Sequence, residues 1–292
     1  MNSLAKHKGL LPPSALRGIR LGLSVSDSAD LARLGLLEIH FRIALGEIAR
    51  CVLLSGGEIV YGGHLDPRGY TAFLMHELKR YGEEQNPSLH ICLAWQEHRK
   101  LSISEFQKQN KSLGMLGTIT CLDVDGAPID PTKGRSERPI PETDSEVRAK
   151  SLTALRRYMA EHVDAQIFIG GKREGYHGDM PGLIEEAIIT LKTSRSIYLA
   201  GGFGGVTLDI IRALEIDSGS WFPQGTSKQT SCQRVIKGIG KLEKIKKSSK
   251  GVDLRNGLSD VENRKLATTH RPSEIAALIC LGLSRKFAKH VH

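Results

Sequence analysis

Short apolar runs alternate with longer amphipathic ones along most of this chain. The run from Ile19 to Val25 predicts a strand, and the pattern from Asp30 to Leu54 predicts one long helix. Glu58 to Tyr61 predicts a second strand, Tyr70 to Tyr81 a helix, and Leu89 to Trp95 a third strand. Gln96 to Leu113 is polar and partly helical in pattern, and Met115 to Val124 reads as a strand. Four prolines and many charges between Asp125 and Pro141 predict a surface loop. From Ser145 to His162 the spacing places Val147, Leu152, Leu155 and Met159 on one side of a helix. Gln166 to Ile169 and Ile197 to Ala200 predict strands. Pro181 to Leu191 and Val206 to Leu214 predict helices, with Pro181 suited to a first turn. The remaining tail is mostly polar until Ser273 to Phe287, which predicts a closing amphipathic helix.

Strands that alternate with helices pair in parallel, with helices on both faces. The expected fold class is therefore α/β, a Rossmann-like doubly wound parallel sheet in a single domain. Residues 1–14 form a leader and 15–290 the domain, with insertions near 125–143 and 217–271. A length of 292 residues at 40% hydrophobic content suffices for one large core. No run approaches the ~20 apolar residues of a membrane helix. Residues Met1 to Pro13 hold no apolar stretch of signal-peptide length. The expected setting is cytoplasmic, without a membrane partner. The five cysteines, Cys51, Cys92, Cys121, Cys232 and Cys280, form no C-x-x-C pair and no zinc-ligand spacing. They are expected as free thiols in a reducing compartment, with no metal bound. The net charge of +9 is concentrated between Lys228 and Lys250, in Lys237, Lys241, Lys244, Lys246 and Lys247. No aromatic residue interrupts that run, so a stacking platform for single-stranded nucleic acid is disfavoured and a solvated face is expected.

The 31 glycines are informative by position. In open α/β sheets ligands sit at the carboxyl ends of strands, where helix N-termini offer unpaired N–H groups and the positive end of the dipole. Four turns of this chain fit such a place. Ser24-Val25-Ser26-Asp27-Ser28 leaves the first strand with three hydroxyls, although Asp27 or Ser28 also suits a helix cap. Tyr61-Gly62-Gly63 is followed by Arg68-Gly69-Tyr70-Thr71 at a helix start. Gly170-Gly171-Lys172-Arg173-Glu174-Gly175 leads to Pro181-Gly182, and Gly201-Gly202-Phe203-Gly204-Gly205 closes the series. A single such turn needs glycine for geometry alone; four at successive strand ends point to a ligand.

At these residues the sequence resembles the SLOG superfamily, which joins DprA-type DNA-binding proteins with the Lonely Guy nucleotide phosphoribohydrolases. Tyr61-Gly62-Gly63 with Gly69, Arg156-Arg157-Tyr158-Met159, Asp164 to Gly171, and Gly182-Leu183-Ile184-Glu185-Glu186 match its elements in order, from about Arg17 to Phe287. The pattern departs at Lys172 to Pro181, about ten residues where the hydrolases have one, and at Leu183, where they have threonine. That loop and the turn from Gly201 to Thr207 look more like SLOG proteins of bacterial conflict and antiphage systems. The resemblance implies a nucleotide or nucleotide-derived ligand and no cofactor. It also implies a homo-oligomer, and a sensor that acts with a separately encoded effector. Its hydrolase branch implies N-glycoside cleavage of a nucleoside 5′-monophosphate or NAD-like substrate, and its DprA branch implies DNA binding, which the separation of the lysines from the glycine turns disfavours.

By the same resemblance Glu186, with Glu185, is the acid/base carboxylate and Arg156 grips the phosphate or positions the base. The phosphate-binding set is Ser24, Ser26, Gly62, Gly63, Arg68, Gly69, Thr71, Gly170, Gly171, Lys172, Gly182, Gly201, Gly202, Phe203, Gly204 and Gly205. A carboxylate beside the sugar would stabilise an oxocarbenium-like state and orient water, and a guanidinium offers a phosphate two parallel bonds. Glu185 and Glu186 would equally complement a helix dipole with no catalytic part. His64, His177, Asp66 and Asp179 lie in loops beside the expected site, and Tyr61 could pack on a base or belong to the core.

Overall fold

The computed structural model describes residues 14–81, 88–133, 137–223, 232–248 and 252–287; the expected leader falls almost wholly outside them. Among the described residues seven strands form one sheet: β1 (Arg20–Ser26), β2 (Glu58–Gly62), β3 (Leu89–Leu93), β4 (Gly117–Leu122), β5 (Pro128–Ile129), β6 (Ala165–Gly170) and β7 (Ser196–Ala200). Their order is β5-β4-β3-β2-β1-β6-β7, all parallel except β5, which pairs antiparallel with β4. The helices are α1 (Glu38–Leu54), α2 (Tyr70–Tyr81), α3 (Trp95–Arg99), α4 (Ile103–Leu113), α5 (Ser145–His162), α6 (Gly182–Lys192), α7 (Gly205–Ala213), α8 (Gln233–Ser248), α9 (Asp260–Thr268) and α10 (Pro272–Phe287). The single-domain, doubly wound reading of the sequence describes this fold.

The central strands are mostly apolar because both faces are covered. Leu21, Leu23, Tyr61, Ile167, Ile169 and Tyr198 belong to the core shared with α1, α2 and α10. The alternate residues Phe168, Ile197 and Leu199 pack with Ile184, Ile188, Ile210 and Leu242 of α6, α7 and α8. Val60, Cys92 and Leu122 meet Leu155 and Met159 of α5. Successive strand side chains point to opposite faces, so one apolar run serves two cores.

Several element bounds differ from the pattern. The long helix expected from Asp30 is interrupted: Ala32–Leu34 is a 3-10 turn closed by Gly35 at φ +67°, and α1 begins at Glu38. Trp95 opens α3 instead of ending β3. A capping box between Ser102 and Glu105 starts a separate α4. The loop expected over Asp125 to Pro141 contains the edge strand β5, where Pro128 is tolerated because an edge needs no donor on its outer side. The largest difference is the tail, where α8 and α9 replace the expected polar stretch. Only Val235, Gly238 and Leu242 of α8 are buried, a stripe too narrow to stand out among the lysines. Cys51 on α1 and Cys280 on α10 are paired as a disulfide across the interface of those helices, against the expectation of five free thiols.

Two tertiary contacts fix the loops beyond the strands. Arg173 donates from Nε to Asp209 Oδ2 at 2.7 Å, from Nη1 to Asp30 Oδ2 at 2.7 Å and from Nη2 to the Gly205 carbonyl at 2.9 Å. Asp30 also accepts from the Gly205 N–H at 2.7 Å, so its carboxylate sits at the N-terminus of α7. The second contact is the close approach of the α9–α10 link to the turn after β7. A Cβ on Gly202 would stand inside the Thr269 carbonyl. Backbone on backbone leaves no side chain to yield. Gly202→Ala is therefore expected to lower stability by about 2–3 kcal/mol through overpacking, read as a lower urea midpoint with an unchanged slope; an unaltered midpoint would show that the link can move away.

Candidate functional site

The chain runs outward through β2, β3 and β4 on one side of β1 and returns through β6 and β7 on the other. The strand order therefore reverses beside β1, and the strand ends there, where open α/β sheets hold ligands, form the candidate site. Two groups of polar side chains flank it, one closed and one open.

The closed group lies under α5 and α6. Gly22 and Ser24 of β1 stand in register with Gln166 and Phe168 of β6, all facing these helices. Glu186 Oε2 accepts a bond from Ser24 Oγ and one from Gln166 Nε2 at 3.2 Å. Gln166 also donates to Ser24 Oγ at 2.6 Å, and its carbonyl oxygen accepts from Thr190 Oγ1 at 2.6 Å. Glu185 accepts from Thr153 Oγ1 at 2.5 Å and from Arg156 Nη1. Arg156 Nε lies 3.6 Å from Glu186 Oε1, so one buried guanidinium faces two carboxyl groups. Burial drives the Glu186 pKa above the usual carboxylate value; Arg156 and the Ser24 bond oppose this, while Glu185 adds to it. Glu186 thus keeps its proton to higher pH than an exposed glutamate.

The loop from Lys172 to Pro181 covers this group. A Cβ on Gly182 would lie 2.8 Å from Arg156 Nη2, and one on Gly178 would lie 3.3 Å from Nη1. The loop leaves β6 through Gly170 and Gly171 at φ +70° and +107°, backbone that only glycine adopts without strain. It is then held by the Arg173 contacts, by Lys172 Nζ at 3.1 Å from Asp27, and by Tyr176 Oη at 3.3 Å from Cys232 Sγ.

The open group is a cleft of 510 Å³ between the β1 exit, the start of α1 and the β2–α2 loop. Asp27, Glu38, Arg42, His64, Arg68 and Tyr70 line it, with the Phe41 ring behind. Tyr70 Oη donates to Asp27 Oδ1 at 2.9 Å. Arg42 lies over the Tyr70 ring at 5.4 Å and donates to Glu38 and to the Arg68 carbonyl, at 2.8 and 3.0 Å. Burial pushes the Asp27 pKa up, but Lys172 and Tyr70 outweigh it and hold the carboxyl below its usual value. Tyr61 is buried between the two groups: burial and the charges of Glu186 and Asp27 raise its pKa, so its hydroxyl stays protonated.

The structure gathers Ser24, Arg156, Gly182, Glu185 and Glu186 around the closed group, and Arg68, Gly69 and Lys172 around the cleft and its rim. Gly170 lies instead against the Ser26 carbonyl and the Phe41 ring, and Gly171 against Val206 and Leu183. Other residues of the expected set stand apart. Gly62 lies against Met159 and Leu155, Gly63 against the Tyr61 ring, and the buried Thr71 hydroxyl donates to the His64 carbonyl at 2.6 Å. The Ser26 carbonyl accepts from the Gly171 N–H at 2.9 Å. Gly201 and Gly202 pack under Ala267 and Thr269, Gly204 against Asp30, and Gly205 against Gly170 and Gly171. Phe203 is fully buried, edge-on to Phe41 with centroids 5.3 Å apart. Thr190 and Thr153 in the closed group, and Asp30, Arg42 and Glu38 outside it, carry no motif. Only Gln166 left a trace, as the one amide in an apolar strand.

A mostly parallel seven-stranded sheet with a polar crevice at its switch point defines a Rossmann-like α/β protein. The family model described as SLOG cluster2 matches residues 15–266, and the chain belongs to that family. Membership indicates a nucleotide-related function. Among curated proteins and among solved structures nothing matches the chain. No described helix is long and apolar enough to cross a membrane, and no cluster of described residues has the makings of a metal site.

The raised Glu186 pKa has a stability consequence. Between the unfolded value of 4.5 and the higher folded one, the folded state holds a proton that the unfolded state has lost. Stability contributed by this group is complete below 4.5 and is lost as pH rises through the folded pKa. Glu186→Gln keeps an oxygen to accept from Ser24 and Gln166, and should remove this loss. The expected result is a variant whose stability gain over wild type grows with pH above 4.5; a constant difference would mean that Glu186 titrates normally. Arg156→Met removes the shared cation and should cost about 3–5 kcal/mol, with a smaller loss in Arg156→Met/Glu185→Gln than in Arg156→Met alone.

Proposed function

We propose that this protein senses a nucleotide-derived ligand held in the crevice where β1, β2 and β6 end, in a bacterial defence or signalling system. The observation that carries this reading is the engagement of Arg156. Its guanidinium faces Glu185 and Glu186 under the inserted loop, so the group that would grip a phosphate for turnover is paired and covered. The cleft beside it is open and offers an aromatic wall, carboxylates for ribose hydroxyls and the exposed Arg68 for a phosphate. Binding there without access to Glu186 gives recognition without cleavage. A homo-oligomer and a separate effector complete the sensor reading.

One observation favours a second reading. Glu186, protonated to raised pH and beside a guanidinium, has the character of a general acid for an N-glycosidic bond. Loop opening would expose it to a bound nucleoside 5′-monophosphate or NAD-like substrate.

A panel of AMP, CMP, NAD and ADP-ribose, read by thermal shift and mass spectrometry together, separates the two. The sensor reading expects a raised melting temperature with every ligand intact, and a loss of about tenfold in affinity in Asp27→Ala, from one hydrogen bond to a charged group. Release of free base, abolished in Glu186→Gln, establishes the hydrolase instead. No shift and no cleavage across the panel would count against both.

A further inference from the structure

We infer that the exposed face of α8 docks an acidic amphipathic helix of a partner protein. Arg234, Lys237, Lys241, Lys244 and Lys247 are all exposed on this helix of 16 residues. None of them forms an ion pair with a described carboxylate, whereas the neighbouring Lys246 is bound to Glu215. Their spacing of three, four, three and three residues puts them on one side of the helix, about 4.5–6 Å apart along the axis. Carboxylates at i, i+3 and i+4 on an opposing helix repeat with the same rise, so a row of cations on one can face a row of anions on the other.

Two features within the row select a helix over other polyanions. Ile236 is 51% exposed beside the lysines. One turn on, a Cβ at Gly240 would meet no atom within 4 Å, so the surface there is open and low. An apolar side chain next to that open position, with Lys237 and Lys244 on one side and the exposed Glu243 on the other, is a seat for the apolar edge of another helix. A nucleic-acid backbone would bring phosphates against Ile236 and find no aromatic to stack on. A membrane would need an apolar face to bury, and that face of α8 is already turned inward: Val235, Gly238 and Leu242 are buried, and Gly238 lies against Ile184 of α6. The partner's helix would therefore rest one layer above the helix that carries Glu185 and Glu186. The inference does not depend on what the crevice binds.

The test uses the full chain and a labelled synthetic helix with glutamates at i and i+4 and a leucine seam, followed by fluorescence anisotropy. Short duplex DNA and phosphatidylserine vesicles serve as competing probes. Binding of the acidic helix is expected, weakening with salt, and falling at least about tenfold in Lys237→Glu/Lys241→Glu/Lys244→Glu as facing charges become alike. The charge-matched Lys79→Glu/Lys108→Glu/Lys111→Glu, on α2 and α4, should bind like wild type. Ile236→Ser should weaken binding with its salt dependence unchanged. All these side chains are exposed, so the circular dichroism and melting of each variant should match wild type. No binding, or equal loss in both triple variants, overturns the inference. Tighter binding of DNA or of vesicles, lost in the α8 variant alone, overturns the choice of partner.

Discussion

The hydrogen bonding of β6 alongside β1 is the contact on which the rest of the molecule turns. From Leu21–Ala165 to Ser26–Gly170 the two strands run in parallel register. That pairing places the second half of the chain on the free side of β1 and reverses the direction in which strands are added. Without it Ser24 and Gln166 would not face the same helices, and Glu186 would have neither of its hydrogen-bond donors from the sheet. The loops leaving β1 and β6 would also lie apart, leaving no crevice between them.

Charge burial follows from that geometry. α6 must pack against the sheet to cover Phe168 and Leu199, and its first turns then carry Glu185 and Glu186 out of water. Two carboxyl groups in such a place repel each other and lose hydration. Arg156, delivered by α5 from the other side of the same layer, offsets both costs. Serine, glutamine and threonine supply the remaining bonds, and raised proton affinity at Glu186 relieves what is left. The same arrangement explains why the group is closed, since a guanidinium bonded to Glu185 and facing Glu186 under Gly178 and Gly182 is not available to an incoming phosphate.

The inserted loop relates the two halves of the crevice. Arg173 anchors it to Asp30 and Asp209, and Lys172 reaches Asp27 at the cleft. Asp30 meanwhile fills the N-terminus of α7, a position where a helix would otherwise attract an anion. The glycines of the turn after β7 are accordingly explained by close backbone packing, and those after β6 by left-handed backbone.

Hydrophobic periodicity by itself determined the sheet-and-helix alternation, the parallel sheet and the strand ends where the turns would meet, because burial of strands on two faces leaves an unbroken apolar run that needs no tertiary knowledge. The resemblance then singled out Arg156, Glu185 and Glu186, which the fold brings together. What only the tertiary structure decided is which polar groups see water. Nothing local distinguishes Ser24, bonded to a carboxyl, from a phosphate-facing serine, or Gly202, pressed on Thr269, from a ligand-facing glycine. α8 was hidden for the same reason: its three buried positions matter only once α6 is beneath them. Contacts between residues far apart in the chain depend on strand order, and strand order is a property of the assembled sheet rather than of any segment in it.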